Sequence, residues 1–116
     1  MFKSYNKYSN KKVVFQGIKF DSKRERDRYI KLKSLEQKGI ISDLQLQPQF
    51  LLQDSFVYME KKYRKIHYVA DFSYFVVKDK QTVVEDSKGF KTDVYAIKKK
   101  LFLNLIKDKN IIFKET

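Results

Sequence analysis

Two segments of the chain carry apolar residues at the spacing of an amphipathic helix. In the first, Tyr29, Leu32 and Leu35 recur at intervals that place them on one helix face. Ser22-Lys23-Arg24-Glu25 precedes them and fits a capping box, in which the serine hydroxyl and the glutamate carboxylate satisfy free backbone N–H groups. Gly39 is the predicted end, because glycine adopts the left-handed backbone that often terminates a helix.

A second helix is predicted to begin near Thr92-Asp93. Its apolar residues follow at helical spacing and are expected to face the core: Val94, Ile97, Leu101 and Leu105. Its basic residues are expected on the exposed side: Lys91, Lys98, Lys99 and Lys100.

Short apolar runs bounded by turn residues predict strands in the first half of the chain. Val13-Val14-Phe15 and Ile18-Lys19-Phe20 flank Gln16-Gly17 and predict a hairpin. Residues 44–53 alternate around Pro48 and predict an edge strand, because proline lacks the N–H that a central strand donates.

Three further strands are predicted in the second half. Residues 66–77 are apolar on both faces, which indicates a central strand covered on both sides. Residues 82–88 form the next strand after a turn at 78–80, and residues 111–113 form the last.

The order helix, three strands, helix, strand predicts one mixed α/β domain over residues 13–116, with a central sheet flanked by helices. Residues 1–12 are rich in Lys, Asn, Ser and Tyr and are predicted to form a flexible basic arm.

The excess of basic over acidic residues limits the classes of function that the sequence supports. Twenty-six Lys and Arg against fourteen Asp and Glu give a formal net charge of +12 over 116 residues. Such a surface attracts polyanions, of which nucleic acid is the commonest, although a lysine-rich composition that serves solubility is the alternative. The chain has no cysteine, which excludes disulfides and thiolate zinc sites. No apolar run approaches the ~20 residues of a membrane span, so we expect a cytoplasmic protein without a membrane partner.

Two aspartates lie among apolar neighbours. Asp71 lies inside the strand predicted to be most buried, and Asp86 lies near the end of the next. Because strand side chains alternate, Asp86 and Lys88 should share one face, with Glu85 and Ser87 on the other. A buried carboxylate pair is costly unless a cation neutralises it, and Mg²⁺ prefers oxygen ligands. The alternative is a structural ion-pair network in which Asp71 and Asp86 pair with Lys88 or Arg64.

Glu25 is a third carboxylate with two possible roles. It precedes Tyr29 by four residues and Leu32 by seven, so it lies on the core-facing side of the first helix. It also closes the predicted capping box. The sequence leaves a metal ligand and a helix cap as equal alternatives.

Asp71, followed after fourteen residues by Asp86-Ser87-Lys88, resembles the motif of the PD-(D/E)XK nuclease superfamily. Longer blocks are similar to a family of small phage and prophage proteins of unassigned function placed in that superfamily. They include residues 17–25, 46–50, 69–72, 84–89, 92–95 and 98–102. Ala70 stands where the name-giving proline would be; that proline contributes no ligand.

The resemblance implies a restriction-endonuclease-like fold and a Mg²⁺ site, for which Mn²⁺ is expected to substitute. Asp71 and Asp86 would bind the metal with the backbone carbonyl near Ser87, and Glu25 would bind directly or through water. Lys88 would orient the attacking water and stabilise the pentacovalent phosphate. Such a metal lowers the pKa of water and offsets charge that develops on the phosphoryl oxygens.

Basic residues on both helices are expected to flank this site and bind DNA phosphates: Lys23, Arg24, Arg26 and Arg28 on the first, and Lys91, Lys98 and Lys99 on the second. Several of them would equally form an ordinary solvated face. Tyr95 is expected either to stack on a base or to pack in the core.

The functional prediction is a Mg²⁺-dependent endodeoxyribonuclease. The domain has little room for a sequence-reading module, so branched DNA such as a four-way junction or flap is the expected substrate, in phage recombination, replication or packaging. Paired cuts would need a homodimer. The alternatives are a non-catalytic DNA-binding or regulatory protein on the same scaffold, and a protein–protein inhibitor. A phage-encoded chain would act in the cytoplasm of its bacterial host.

Overall fold

A computed structural model of the protein describes residues 12–87 and 91–116. The predicted basic arm lies outside these residues except for Lys12. The elements follow in the order β1 (Val13–Phe15), β2 (Ile18–Phe20), α1 (Lys23–Gln37), β3 (Ile41–Leu46), β4 (Gln49–Gln53), β5 (Phe56–Tyr58), β6 (Lys61–Tyr63), β7 (Ile66–Val69), β8 (Phe72–Val76), β9 (Gln81–Asp86), α2 (Asp93–Ile106) and β10 (Ile111–Glu115).

Strands dominate the described residues. They account for 42% of them against 28% in the two helices, and they form four separate sheets. The predicted α/β class, with a restriction-endonuclease-like core of helix, three strands, helix and strand, is therefore wrong. The predicted strands 44–53 and 66–77 are each divided into two. The charged segment between them forms the separate hairpin of β5 and β6. The strands therefore do not join one sheet.

The first division falls at Gln47 and Pro48. Residues 44–53 were predicted to be one strand, but β3 and β4 pair with different partners on either side of this point. Gln47 has a φ of 48°, in the left-handed region, and Pro48 has no N–H to donate to a ladder. The backbone therefore turns out of one sheet and enters another.

The second division falls at Ala70 and Asp71, opposite the first. The Ala70 N–H donates to the Pro48 carbonyl at 3.1 Å, and the Gln47 N–H donates to the Asp71 carbonyl at 2.8 Å. Residues 66–77 are consequently two strands, β7 and β8, and not the single central strand predicted. Asp71 lies in the break between them.

The largest sheet has the order β10-β9-β8-β3. Neighbouring strands β8 and β9 are antiparallel, with Phe72 opposite Glu85, whereas β9 and β10 are parallel. A parallel pair needs a crossover connection, which α2 provides. The strand β9 therefore has a neighbour on each side.

Two apolar cores involve this sheet. One contains Phe20, Tyr29, Leu32, Ile41, Phe72 and Tyr74 and includes residues of α1. The other contains Tyr68, Ala70, Val84, Tyr95, Phe102 and Ile106 and includes residues of α2. We call them the α1 core and the α2 core. Along β9, Val83 packs against the α1 core and Val84 belongs to the α2 core, so alternation assigns the next two residues to opposite faces as well.

Both helices form where the sequence predicted them, but the buried face of α2 differs. Ser22 caps α1, and Gly39 follows its end with a φ of 78°. In α2, however, Tyr95, Phe102 and Ile106 are buried. The residues predicted to face the core, Val94, Ile97, Leu101 and Leu105, are exposed by 61%, 61%, 46% and 44%. We call these four residues the α2 stripe. Neither helix is long and apolar enough to cross a membrane, as far as the described residues show.

We predict that Leu32→Ala lowers the free energy of unfolding by about 2–5 kcal/mol, because Leu32 is fully buried in the α1 core and its removal leaves a cavity. The matched control is Ile30→Ala in the same helix. Ile30 is 40% exposed, so its loss should cost less than about 1 kcal/mol. Urea denaturation measures both. Equal effects of the two substitutions would contradict this assignment of the core.

Candidate functional site

Backbone hydrogen bonds hold Asp71 against the end of β9. Its N–H donates to the Glu85 carbonyl at 3.0 Å, and its carboxylate Oδ2 accepts from the Ser87 N–H at 2.7 Å. The strand break at Ala70 and Asp71 therefore places a carboxylate on the backbone of the neighbouring strand. This position resembles the predicted one, but it arises from a bend and not from a continuous strand.

Glu85 carries a buried charge on the α1 side of β9. It is 2% exposed, and Arg28 of α1 donates to both of its carboxylate oxygens, from Nε at 2.9 Å and from Nη2. The Tyr74 hydroxyl donates to it as well. Burial acts to raise the pKa of Glu85, but the hydrogen bonds from Arg28 and Tyr74 outweigh burial and hold the pKa below its ordinary value of 4.5.

Glu25 closes the N-terminal cap of α1. Its backbone N–H donates to the Ser22 hydroxyl at 3.1 Å, and its side chain accepts from the Asp21 N–H at 3.1 Å. The Glu25 carboxylate thus binds a backbone N–H at the start of α1, although the donor is Asp21 and not the N-cap residue Ser22. The same residue also lines the pocket described next, so the cap does not remove it from the site.

A pocket of about 390 Å³ opens between α1 and the ends of β9 and β10. We call it the α1 pocket. Acidic and basic side chains line it in equal number: Glu25, Asp27, Asp71 and Glu85 with Arg24, Arg28, Lys31 and Lys114. The remaining lining residues are Phe72, Ser87 and Thr116. The pocket therefore combines oxygen ligands with cations that attract a phosphate.

Asp86 is fully buried on the other face of β9. The Tyr68 hydroxyl donates to its carboxylate, and the Thr116 N–H donates to its backbone carbonyl at 2.9 Å. Burial, and then the hydrogen bond to Asp86, raises the pKa of Tyr68. The structure thus brings Glu25, Asp71 and Ser87 together at the α1 pocket, whereas Asp86 does not line it.

Glu115 forms hydrogen bonds with three of the residues that were predicted to bind DNA. It accepts hydrogen bonds from Tyr95 Oη, from Lys99 Nζ at 3.0 Å and from Lys91 Nζ at 3.3 Å. These hydrogen bonds, the one from Tyr95 first, lower the pKa of Glu115 to about 2. Tyr95 is buried in the α2 core, so it packs there and is not presented to a base.

The other predicted DNA-binding residues are divided among different surroundings. Arg24 and Arg28 line the α1 pocket, and Arg26 pairs with Asp27 at 2.9 Å. Lys23 is exposed and Lys98 is half-buried. The predicted catalytic Lys88 lies outside the described residues.

Sequence reasoning did not identify the Arg28–Glu85 ion pair, although a signal was present. Arg28 follows Glu25 by three residues and precedes Leu32 by four, so it lies on the core-facing side of α1. A cation on that side requires a buried acidic partner. Lys31, Tyr68, Tyr74, Lys114 and Glu115 gave no comparable local signal, because their partners are distant in the chain.

Within residues 12–87 and 91–116, no group of three or more His, Cys, Asp or Glu side chains is arranged to hold a metal ion. The carboxylates at the end of β9 instead point to two faces of the sheet. Any metal bound here would complete its coordination with water or with substrate oxygens, as Mg²⁺ commonly does.

The chain belongs to the DUF1064 family, described as a protein of unknown function, whose profile matches residues 5–114. Searches among curated proteins and among solved structures gave no significant match. Family membership therefore comes without an assigned activity.

We predict that the Arg28–Glu85 pair makes stability depend on pH in a defined direction. The unfolded carboxyl titrates near 4.5 and the native one below it. The stabilisation is therefore complete above the unfolded pKa and is lost as pH falls through the native pKa. Urea midpoints measured between about pH 6 and about pH 3 should fall more steeply for the wild type than for Glu85→Gln.

The control for this measurement is Asp79→Asn, which removes an exposed carboxylate from the turn before β9. Its midpoints should follow those of the wild type at every pH. A Glu85→Gln profile as steep as that of the wild type would show that Glu85 does not contribute to the acid sensitivity.

Proposed function

We propose that this protein is a Mg²⁺-dependent endodeoxyribonuclease related to the PD-(D/E)XK superfamily, with branched DNA as its substrate. The observation that carries the proposal is the α1 pocket beside the end of β9. There the Asp71 carboxylate is fixed 2.7 Å from the Ser87 N–H, in a pocket that four basic and four acidic side chains line. The relation to the superfamily rests on the motif of Asp71, Asp86 and Lys88, not on the fold class.

Charge supports DNA as the substrate. The basic residues of the pocket, Arg24, Arg28, Lys31 and Lys114, stand in a chain of net charge +12. Contacts of this kind bind the phosphate backbone without regard to sequence and weaken as salt rises. A phosphodiester drawn to the pocket would lie next to Asp71.

The α1 pocket beside the end of β9 supplies part of a Mg²⁺ coordination sphere. Mg²⁺ usually binds through one or two carboxylates plus substrate phosphate and keeps several waters, so a cage of three protein carboxylates is not required. Asp71 and the backbone carbonyl of Ser87 would hold it at the α1 pocket, with Glu25 reaching it through water. Asp86 would join them only by turning away from Tyr68 toward the pocket. Glu85 is already neutralised by Arg28, so an ion would have to compete for it. When bound, Mg²⁺ lowers the pKa of water and offsets charge on the phosphate.

The side chains of the chain itself perform the remaining tasks. Arg24, Lys31 and Lys114 bind and orient the phosphate, and the hydrogen bonds from Arg28 keep Glu85 ionised. Lys88 orients the attacking water and stabilises the negative charge of the pentacovalent phosphate. Glu25 keeps α1 capped, which fixes the basic wall of the pocket against the sheet.

A second candidate function is a non-catalytic DNA-binding protein. One observation favours it: Glu25 and Glu85, two of the four acidic residues of the pocket, are engaged in a helix cap and an ion pair. Carboxylates held in this way stabilise the fold and need no metal. A protein–protein inhibitor is the third class and requires no DNA affinity.

We predict metal-dependent cleavage that is lost at least about 100-fold in Asp71→Asn, Asp86→Asn and Lys88→Ala, since each removes a metal ligand or a charge that stabilises the transition state. Labelled four-way junction, flap, single-strand and linear duplex DNA would be incubated with Mg²⁺, Mn²⁺ or EDTA, and the products resolved on denaturing gels. The junction or the flap should be cut fastest.

The matched control for cleavage is Asp79→Asn, an exposed aspartate in the turn before β9, which should cut like the wild type. Binding of each variant in EDTA tests whether the fold survives. A wild type that binds DNA and cuts no substrate with either metal would favour the DNA-binding protein. Absence of DNA binding at low salt would favour the inhibitor.

Paired cuts at a junction call for two active sites, and the α2 stripe offers a contact between two copies of the chain. Its apolar residues are exposed along the length of α2. In an antiparallel pairing of two α2 helices, the first residue of the stripe meets the last and the second meets the third, as a two-fold interface requires.

We predict that the protein is a homodimer and that Ile97→Glu makes it a monomer, because the substitution places a carboxylate in the middle of the apolar contact. Sedimentation velocity measures the change. The control is Lys100→Glu, which changes charge on the same helix away from the stripe and should leave the dimer intact. A wild type that sediments as a monomer at micromolar concentrations would rule out the α2 contact.

A further inference from the structure

The hairpin of β5 and β6 pairs with no other strand or helix in the part of the chain that the structure describes. All six residues of its strands are exposed, and among the described helices and strands β5 and β6 contact only each other. We call residues 56–63 the β5–β6 hairpin. Because the hairpin belongs to neither core, its side chains are not explained by packing.

The composition of the hairpin is unusual for a surface element. Phe56, Val57, Tyr58 and Met59 follow one another, and all are exposed, Met59 by 82%. A run of large apolar side chains in water usually marks a binding surface. Charged residues are the usual choice on an unprotected strand edge, so the run is not explained by solubility.

Aromatic and basic side chains share one face of the hairpin. The register pairs Phe56 with Tyr63 and Tyr58 with Lys61. The rings of Phe56 and Tyr63 stack with centroids 5.0 Å apart and planes 11° apart, and Lys61 Nζ lies 5.2 Å from the centre of the Tyr63 ring. The Phe56–Tyr63 stack stabilises the two strands against each other. Tyr58 lies outside that stack and is free to contact a ligand ring.

Met59 lies in the turn at the tip of the hairpin, and this turn contains no glycine. Met59 and Glu60 have φ angles of 48° and 68°, which fits a tight turn normally made by Asn-Gly. A bulky residue in the left-handed region is uncommon and costs free energy. Backbone strain at an exposed apolar residue suggests that the Met59 side chain contacts a ligand at this position.

We propose that the β5–β6 hairpin is a second DNA contact that inserts Tyr58 and Met59 against unpaired or unstacked bases, while Lys61, on the same face as Tyr58, binds the adjacent phosphate. Lys62 and Arg64 add to the positive potential that attracts the DNA backbone. The ligand class rests on the proposed function, but the contact does not depend on cleavage. Four cations between residues 61 and 65, with Asp54 and Glu60 as the nearby acids, favour a polyanion.

The chemistry favours open DNA over an intact duplex. Proteins that bind single strands combine basic side chains along the backbone with aromatic rings on which bases stack, and apolar side chains also wedge between base steps. In a duplex the base faces are already covered by their neighbours. A junction or flap has a branch point where stacking is interrupted, and Tyr58 and Met59 have access there.

The test is fluorescence anisotropy in EDTA, so that cleavage plays no part. Labelled single strand, four-way junction and linear duplex are titrated with the wild type and with the double variant Tyr58→Ala, Met59→Ala. Because both residues are exposed and outside the Phe56–Tyr63 stack, the fold should be retained, which thermal unfolding checks. Binding to the single strand and the junction should weaken about 10-fold, with duplex binding unchanged.

Two further variants sharpen the result. Val77→Ala changes an exposed apolar residue at the end of β8, and it should bind all three DNAs like the wild type. Lys61→Ala with Lys62→Ala should weaken binding to every DNA and reduce its dependence on salt.

Several outcomes would overturn the proposal. They are unchanged binding of the double variant, an equal loss on duplex DNA, or loss of self-association with DNA binding intact, which would make the hairpin an interface between copies. A wild type that binds no DNA would also overturn it. A wild type that cuts no DNA but loses single-strand binding in the double variant would end the nuclease proposal and leave this one standing.

Discussion

The buried charge of Glu85 is the constraint to which the rest of the structure conforms. A carboxylate that is 2% exposed must be neutralised, and Arg28 of α1 supplies two hydrogen bonds to it. The pair therefore requires that the face of α1 that carries Arg28 is turned toward β9. The α1 pocket lies beside the pair, and both residues line it.

Alternation along β9 separates two chemical environments. Val83 and Glu85 face α1, whereas Val84 and Asp86 face α2. Consecutive carboxylates thus meet different partners: a guanidinium for Glu85 and a tyrosine hydroxyl for Asp86. The parallel strand β10 repeats the division, because Lys114 lies beside the α1 pocket and Glu115 binds Tyr95 and Lys99 of α2. The sheet therefore separates the Arg28–Glu85 pair on the α1 side from the cluster of Glu115, Tyr95 and Lys99 on the α2 side.

Local signals in the sequence were sufficient for the helices but not for the sheets. Ser22, Thr92 and Gly39 act through their own backbone neighbours, so both helices could be predicted closely. Pro48 was recognised, but its carbonyl binds Ala70, and the resulting paired breaks depend on a contact between distant segments. The α2 helix has two apolar faces, and spacing alone does not say which one meets the sheet. That Glu85 and not Asp86 lines the α1 pocket likewise depends on which helix covers which face of β9, and no local pattern contains that information.

The paired breaks at Gln47–Pro48 and Ala70–Asp71 have a mechanical consequence. The β4–β7 ribbon, which leads to the β5–β6 hairpin, leaves the main sheet at this point, where Asp71 also bonds to Gln47 and Glu85. Ala70, which precedes Asp71, packs in the α2 core, whereas Phe72, which follows it, packs in the α1 core. Asp71 is therefore the single residue that joins the two cores at this break. A shift of one core against the other would reach the Asp71 carboxylate through one residue of backbone.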